Sequence, residues 1–146
     1  MKGLMIQGTS SDAGKSFIVT GLCRLFSRGF NLKVCPFKSQ NMSNISYKLQ
    51  NGLEMALAQA VQARAADIEP EVFMNPVLLK PRHEKSSHIV LNGKLFEKPA
   101  EKNFYFENFT ESEGIKAVRD ALDFIEKNFD AVIIEGAGSP PEINLN

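Results

Sequence analysis

The sequence predicts one α/β domain with a mostly parallel sheet and helices on both faces. Strand-like and helix-like segments alternate along the 146 residues, and the connections between them are short. A glycine-rich junction joins the first predicted strand to the first predicted helix. A chain of 146 residues can bury one hydrophobic core but not two. We therefore treat residues 1–146 as one domain.

Two periodicities separate the predicted elements. Short apolar runs beside Gly or Pro predict buried strands, and apolar residues three or four positions apart predict helices. The first half is predicted to contain a strand at 3–7, a helix from Gly14 to Gly29, a strand at 32–37, a polar loop at 38–46 and an alanine-rich helix at 53–66. The second half is predicted to contain apolar runs at 75–81 and 88–93, a helix from Glu111 with a stripe of Ile115, Val118, Leu122 and Ile125, and a fifth strand within 130–139. A sheet of this class normally continues with further units, so we expect the fold to be incomplete at its C-terminal side and the chain to be a fragment.

Composition argues against several classes of function. Lys+Arg and Asp+Glu both number 17, so a basic surface for nucleic acid is not expected. No apolar run approaches the roughly 18 residues that span a bilayer. The segment before Gly8 is too short for the apolar part of a secretion signal. We expect a cytoplasmic chain without nucleic-acid or membrane partners, in which Cys23 and Cys35 stay reduced.

The segment QGTSSDAGKSF, residues 7–17, carries the main functional signal. Glycines at a strand-to-helix junction let successive backbone N–H groups face an anion, and the first helical turn adds unpaired N–H groups. Lys15 can reach the β- and γ-phosphates of a nucleotide, and the Ser16 hydroxyl can bind Mg²⁺. The spacing G-x5-G-K-S is one residue longer than the usual P-loop, but a turn that only capped a helix would need neither lysine nor hydroxyl. The predicted nucleotide-binding residues are Gly8, Thr9, Asp12, Ala13, Gly14, Lys15, Ser16 and Phe17.

A carboxylate to complete the metal site is predicted at Glu135. It follows the apolar run AVII and precedes Gly136-Ala137-Gly138. In a parallel sheet the carboxyl ends of the strands border the ligand crevice, which is where a metal-binding acid is needed. The alternative is an ordinary charged residue at the point where the strand leaves the core.

Six segments occur in the order expected of one known family. They are the P-loop, PFKSQNMSN, GLEMALAQAVQA, NPVLLKP, IVLNGK and IEGAGSPPEINL, and they run from Gly3 to Leu145. Together they resemble the N-terminal ATP-dependent synthetase domain of the cobyric acid synthase family. That family is related to dethiobiotin synthetase and to the cobyrinic acid a,c-diamide synthases. The longer P-loop is itself a feature of the dethiobiotin synthetase group.

The resemblance implies a P-loop NTPase-like domain that uses ATP and Mg²⁺ in cobalamin biosynthesis. The implied reaction is amidation of side-chain carboxylates of (adenosyl)cobyrinic acid a,c-diamide toward cobyric acid. Transfer of the γ-phosphoryl group would convert a carboxylate into an acyl phosphate, and ammonia would then displace phosphate. Most of the protein's task would be positioning and charge neutralisation.

The same resemblance assigns roles to individual residues. Lys15, Lys38 and Glu135 would be catalytic, with Lys38 beside the phosphate and the substrate carboxylate, although a solvated loop lysine is the alternative. Glu54, expected at the start of the helix at 53–66, would be a second acidic Mg²⁺ ligand, but the helix dipole favours an acid there without any metal. Substrate contacts are expected from Gln40, Asn41 and Ser43, and Lys80 is a weaker candidate. Asn/Ser-rich loops are also common for reasons of turn geometry alone.

The chain departs from the family in three places. The segment RHEKSSH has His88 where the family has glutamine, and a surface histidine is the ordinary interpretation. The aromatic segment LFEKPAEKNFYFENF replaces a glycine-containing one. Family members also carry a glutaminase-like domain, for which Cys23, Cys35, His83 and His88 show no suitable arrangement. The chain is therefore not expected to hydrolyse glutamine, and ammonia would come from a glutaminase domain outside it.

Other functions stay open at this stage. Another dethiobiotin synthetase-like carboxylate-activating ATPase is the nearest alternative, although the SQNMSN loop argues against it. A switch ATPase of the ParA/MinD kind would carry a signature lysine where this chain has Thr9. A GTPase and a noncatalytic nucleotide-binding module are further alternatives. The sequence does not determine the oligomeric state and leaves a homo-oligomer open.

Overall fold

A computed structural model describes residues 1–81, 86–96, 100–101 and 113–138. Its strands are β1 (Lys2–Ile6), β2 (Val34–Phe37), β3 (Gln40–Met42), β4 (Ser46–Lys48), β5 (Glu54–Ala56), β6 (Val77–Pro81), β7 (Ser86–Leu91), β8 (Lys94–Leu95), β9 (Ala100–Glu101) and β10 (Ala131–Glu135). Its α-helices are α1 (Lys15–Arg24), α2 (Leu57–Ala65) and α3 (Ile115–Asn128). A π-helical segment, Leu25–Gly29, continues α1, and a 3₁₀ turn, Val72–Met74, precedes β6.

The central sheet has three parallel strands in the order β1-β10-β2, which agrees with the predicted α/β class. In the pairing of β1 with β10, Ile6 lies opposite Glu135. The two strands therefore end at the same level. The loop that follows β1 and the carboxylate that ends β10 consequently lie at one edge of the sheet.

Helices cover both faces of this sheet, as predicted. Ala131 and Ile133 of β10 pack in one core cluster with Val19 and Cys23 of α1. Val132, on the opposite face, packs in a second cluster that includes α3 residues Ala121 and Ile125. This alternation follows from the two-residue period of a strand. The small residues Ala60 and Ala63 let α2 approach the second cluster closely.

A second sheet lies outside the central one. Its strand order is β3-β6-β7-β8, with β9 also pairing with β7. β3 and β6 are parallel. β7 pairs in antiparallel fashion with β6, β8 and β9. β4 and β5 form a separate antiparallel hairpin. The apolar runs predicted at 75–81 and 88–93 thus become neighbouring strands.

Two predictions about local structure are wrong. The segment 38–46 is not simply a loop, because it contains β3 and the start of β4. The segment 53–66 is not helical throughout, because β5 occupies Glu54–Ala56 and α2 begins only at Leu57. In both cases hydrogen bonds to a neighbouring strand, β6 for β3 and β4 for β5, outweigh the local sequence preference.

The stripe predicted for α3 is correct in part. Ile125 is fully buried, and Val118 and Leu122 pack against the same core cluster while partly buried. Ile115 is exposed, and the other fully buried residues of the helix are Ala117 and Ala121. Both cysteines are free and buried, as expected for a reduced pair. In the described part of the chain, no helix has the length and apolar character needed to cross a bilayer. His83, the greater part of the aromatic segment at 95–109 and the segment after Gly138 lie outside the described residues.

Candidate functional site

The loop between β1 and α1 folds around the side chain of Lys15. A Cβ added at Gly8 would lie 3.0 Å from the Cγ, Cδ and Nζ atoms of Lys15, so this position needs glycine. Lys15 is only 8% exposed, and its Nζ donates to the Ser10 carbonyl at 2.9 Å. Asp12 and Gly14 adopt left-handed conformations, with φ of 58° and 85°. The lysine thus lies within the loop and does not enter the hydrophobic core.

The N-terminus of α1 presents backbone donors beside this loop. Gly14 is the N-cap, and no side chain caps this end of the helix with a hydrogen bond. The Ile18 N–H bonds back to the Gly14 carbonyl at 3.1 Å, so the preceding N–H groups of Lys15, Ser16 and Phe17 have no acceptor within the helix. α1 has no acidic residue in its first turn. Unpaired N–H groups and the positive end of the helix dipole together favour an anion at this point.

The buried carboxylate of Glu135 is the centre of the site. It is 2% exposed and accepts hydrogen bonds on both oxygens. Its Oε1 accepts from Ser16 Oγ at 2.8 Å and from Lys38 Nζ at 2.6 Å. Its Oε2 accepts from Gln62 Nε2 at 2.7 Å and from Gln59 Nε2 at 3.3 Å. A carboxylate this buried needs such partners, because desolvation of an unpaired charge is costly.

Adjacent strand ends bring these groups together. Glu135 ends β10, and Lys38 comes directly after β2, the neighbouring parallel strand. The backbone of Lys38 is itself fixed by a bond from its N–H to the Met74 carbonyl at 2.9 Å. Ser16 is the second residue of α1, which follows β1 on the other side of β10. Three separate segments thus converge at the carboxyl edge of the central sheet.

The three residues predicted to contact substrate lie in and after β3. Asn41 Nδ2 donates to Gln59 Oε1 at 2.9 Å, which connects this strand to the residues around Glu135. Ser43 Oγ donates to the nearby Ile45 carbonyl, and the Ser43 N–H donates to the carbonyl of Leu79 in β6. Gln40 is half-buried in β3 itself.

Gln59 and Gln62 are members of the site that the sequence did not single out. Both are fully buried in α2, which is unusual for glutamine. They are three residues apart and so lie on the same side of the helix. The signal that could have found them is this spacing in a helix whose other buried residues are alanines.

Glu54 does not lie where it was expected. It belongs to β5 and not to the start of a helix, so the helix-dipole argument for it is wrong. Its Oε2 accepts from Lys80 Nζ at 2.5 Å and from Ser46 Oγ at 2.8 Å. Burial raises the pKa of Glu54, but hydrogen bonds from Lys80 and Ser46 and the charge of Lys80 outweigh it, so the pKa is lowered overall. These partners are different from those of Glu135.

A pocket of about 360 Å³ opens beside Ser16. It lies between the start of α1, the segment after β3 and the start of α2. Its polar lining comes from Ser16, Thr20, Asn41 and Ser43, and its apolar lining from Phe17, Ile45, Leu57, Ala58 and Val61. Phe17 is 82% exposed, so this apolar surface is accessible from solvent. The pocket can therefore take a ligand that has both apolar and polar surface.

The oxygen atoms at Glu135 fit a magnesium ion better than a transition metal. Ser16 and Glu135 supply adjacent hydroxyl and carboxylate oxygens. Among the described residues, no group of three or more His, Cys, Asp or Glu side chains could hold a metal. Mg²⁺ does not need such a group, because it is commonly held by one or two protein oxygens with phosphate and water.

Comparison with known proteins agrees with this geometry. The family model described as "CobQ/CobB/MinD/ParA nucleotide binding domain" matches residues 4–137, which include the P-loop and Glu135. The chain belongs to this family. Membership accounts for the P-loop between β1 and α1 and identifies the chain as a nucleotide-binding domain.

The chain is similar to several curated proteins that are named cobyric acid synthase. The protein of Caldanaerobacter subterraneus subsp. tengcongensis is 52% identical over 97% of this chain, and that of Thermodesulfovibrio yellowstonii is 51% identical over 99%. The protein of Clostridium acetobutylicum is 48% identical over 99% of this chain. The chain spans only 27–29% of the length of these relatives.

Proposed function

We propose that the chain is an ATP-dependent synthetase domain that activates carboxylates of a corrinoid for amidation, in cobalamin biosynthesis. The name cobyric acid synthase, shared by the relatives, supports this substrate class. The observation that carries the proposal is the convergence of Ser16 and Lys38 on Glu135 beside a P-loop. A lysine and a metal-binding hydroxyl at one carboxylate suit phosphoryl transfer, because a cation and a bound metal both stabilise charge on the phosphoryl oxygens.

The P-loop and α1 would hold the triphosphate. The N–H groups at the start of α1 and the loop backbone from Gly8 to Gly14 are the donors, and Lys15 would exchange its bond to the Ser10 carbonyl for phosphate oxygens. Ser16 and Glu135 would hold Mg²⁺, which when bound offsets the charge of the phosphates. Glu54 stays a predicted further ligand, and it would first have to give up its bond to Lys80.

Lys38 would contribute charge at the reacting groups. Its Nζ already lies at the carboxyl edge of the sheet, bonded to Glu135, where the γ-phosphate and an incoming carboxylate would meet. The carboxylate oxygen would bond to the γ-phosphorus as the bond to ADP breaks. Ammonia would then attack the acyl carbon, and phosphate would leave with the bonding electron pair. In both steps Lys38 would stabilise negative charge on the phosphoryl oxygens.

The pocket beside Ser16 would receive the corrinoid. A corrin macrocycle is apolar on its faces and carries amides and carboxylates at its rim. The apolar residues Phe17, Leu57 and Val61 suit the faces, and Asn41 and Ser43 suit the rim. Ammonia from a glutaminase domain outside this chain, a cytoplasmic location and a homo-oligomeric state remain predictions.

Calorimetric titration and an assay of ADP release test the proposal. The chain should bind ATP with Mg²⁺, bind cobyrinic acid a,c-diamide, and release ADP faster when the corrinoid and ammonium are both present. Lys15→Met should weaken ATP binding at least tenfold, whereas Lys116→Met, on an exposed position of α3, should not. ATP binding without any corrinoid dependence would contradict the synthetase function. It would instead favour a switch ATPase or a plain nucleotide-binding module.

A further inference from the structure

Gln59 and Gln62 connect the carboxylate of Glu135 to the substrate side of the site. Asn41 Nδ2 donates to Gln59 Oε1 at 2.9 Å. Gln59 Nε2 lies 3.3 Å from both Glu135 Oε2 and Gln62 Oε1. Gln62 Nε2 donates to Glu135 Oε2 at 2.7 Å and lies 3.5 Å from the Ser16 carbonyl. The chain of hydrogen bonds thus runs from β3, through α2, to the end of β10 and the start of α1.

The two oxygens of Glu135 have different kinds of partner. Oε1 is bonded to Ser16 and Lys38, the groups with proposed roles at the metal and the phosphate. Oε2 is bonded to the two glutamines, which are both 0% exposed. The glutamines are closed off from solvent, and they can hold the carboxylate so that Oε1 faces the metal position. Groups that orient a metal ligand in this way commonly affect metal affinity about 10–100-fold.

We propose that Gln59 and Gln62 are positioning residues for Glu135, and that Gln59 couples its orientation to Asn41. The proposal rests on the proposed function, since it assumes that Glu135 binds the metal and that Asn41 faces the substrate. Gln62, with the shorter bond to Oε2, mainly sets the angle of the carboxylate. Gln59 shares its amide group between Asn41 and Glu135, so a substrate that displaces Asn41 shifts the carboxylate as well.

The first experiment measures how strongly Mg²⁺ tightens ATP binding. ATP is titrated into the full chain by calorimetry, with Mg²⁺ and with EDTA, for wild type, Gln62→Leu and Gln59→Leu. Leucine is apolar, is one atom shorter than glutamine and has no amide group. The enhancement of binding by Mg²⁺ should fall at least tenfold in Gln62→Leu, and binding in EDTA should hardly change. Gln50→Leu, in an exposed turn, is the matched control and should behave as wild type.

A double-variant cycle separates positioning from a merely structural role. In a Glu135→Gln background the carboxylate is already absent, so adding Gln62→Leu should have no further effect on the Mg²⁺ enhancement. Independent and additive losses would overturn the inference. Equal loss of affinity with Mg²⁺ and with EDTA, accompanied by a lower melting temperature, would also overturn it, because it would show a folding defect.

The second experiment does not depend on nucleotide binding. The side-chain amide resonances of Gln59 and Gln62 are followed by NMR in ¹⁵N-labelled protein. Asn41→Ala should shift the Gln59 signals, and Glu135→Gln should shift both sets. If these shifts occur in a chain that binds ATP but no corrinoid, the proposed substrate is wrong and the positioning role stands. If neither variant moves the glutamine signals, the positioning role is wrong, whatever the substrate.

Discussion

Replacing Lys38 with methionine tests how the buried charge of Glu135 is balanced. The two charged groups lie 2.6 Å apart, and their side chains are 11% and 1% exposed. Methionine keeps much of the apolar stem of lysine but removes the charge. Glu135 would then retain three neutral donors, from Ser16, Gln59 and Gln62.

The size of the effect follows from the partners that remain. Removing one member of a buried ion pair costs about 3–5 kcal/mol. Each hydrogen bond to a charged group is worth about 1.5–3 kcal/mol, and the three that remain keep the loss near the lower limit. We therefore expect Lys38→Met to lower the free energy of unfolding by about 3 kcal/mol. In Lys38→Met/Glu135→Gln no unbalanced charge is buried, so the loss should be smaller than the sum of the single losses.

Urea denaturation at neutral pH, without nucleotide, measures the four free energies of the cycle. The expected coupling between the two positions is about 1–3 kcal/mol, as for other groups in one network. Lys116→Met controls for the loss of a lysine elsewhere on the surface. Losses that add within about 0.5 kcal/mol would refute the reasoning, because they would show that the two side chains do not interact in the folded protein.

Three further predictions concern other parts of the chain. The pKa of Glu54 lies below its ordinary value of 4.5, so its contribution to stability is present above that value and is lost as the pH falls through the lower folded-state pKa. Lys80→Met should therefore destabilise the protein at neutral pH, and its deficit in urea denaturation should shrink as the pH falls below 4.5. Burial raises the pKa of Cys23 to about 12, so at pH 8 only about one thiol in ten thousand is ionised and alkylation by iodoacetamide should require unfolding. Gly93→Ala should cost more stability than Gly52→Ala, because both glycines have φ of 81° but only a Cβ at Gly93 would lie 2.7 Å from neighbouring carbon atoms. Thermal denaturation should show a loss of about 1–2 kcal/mol at Gly52 and about 1–3 kcal/mol more at Gly93.

Each of these three predictions has a result that would contradict it. A deficit of Lys80→Met that is constant with pH would show that Glu54 does not depend on that lysine. Rapid alkylation of Cys23 in native buffer would show that α1 opens readily or does not cover the thiol. Equal losses at Gly52 and Gly93 would show that neighbouring side chains yield easily and that only the backbone conformation matters.

The parts of the site that depend on local sequence could be predicted. The P-loop is a contiguous segment whose glycines, lysine and hydroxyl residue have fixed places relative to one strand and one helix. Glu135 could be placed because an apolar strand ends there. In the folded chain, the register that sets Ile6 opposite Glu135 brings the P-loop and this carboxylate together.

The parts that depend on pairing between strands or on contacts across the fold could not be predicted. β3 is only three residues long, two of them polar, and its extended conformation is set by its pairing with β6, whose sequence lies more than thirty positions away. β5 interrupts a segment with good helical preference because it pairs with β4. Gln59 and Gln62 resembled ordinary polar residues of a helix, since only the folded chain shows that they face Glu135. The partners of Glu54, likewise, come from two other strands.

The alternation of side chains along β10 has a consequence for insertions and deletions. Glu135 has the same parity as Ala131 and Ile133, which face α1, and that parity is what directs its carboxylate toward Ser16. Because β10 is hydrogen-bonded on both sides, it cannot slide to compensate for a lost residue. Deleting one residue from this strand would turn the carboxylate toward the side of the sheet that α3 covers, and would turn Val132 and its neighbours the wrong way as well. Length variation that preserves the site should therefore be confined to the connections, and the number of residues in β10 should be as restrictive as their identity.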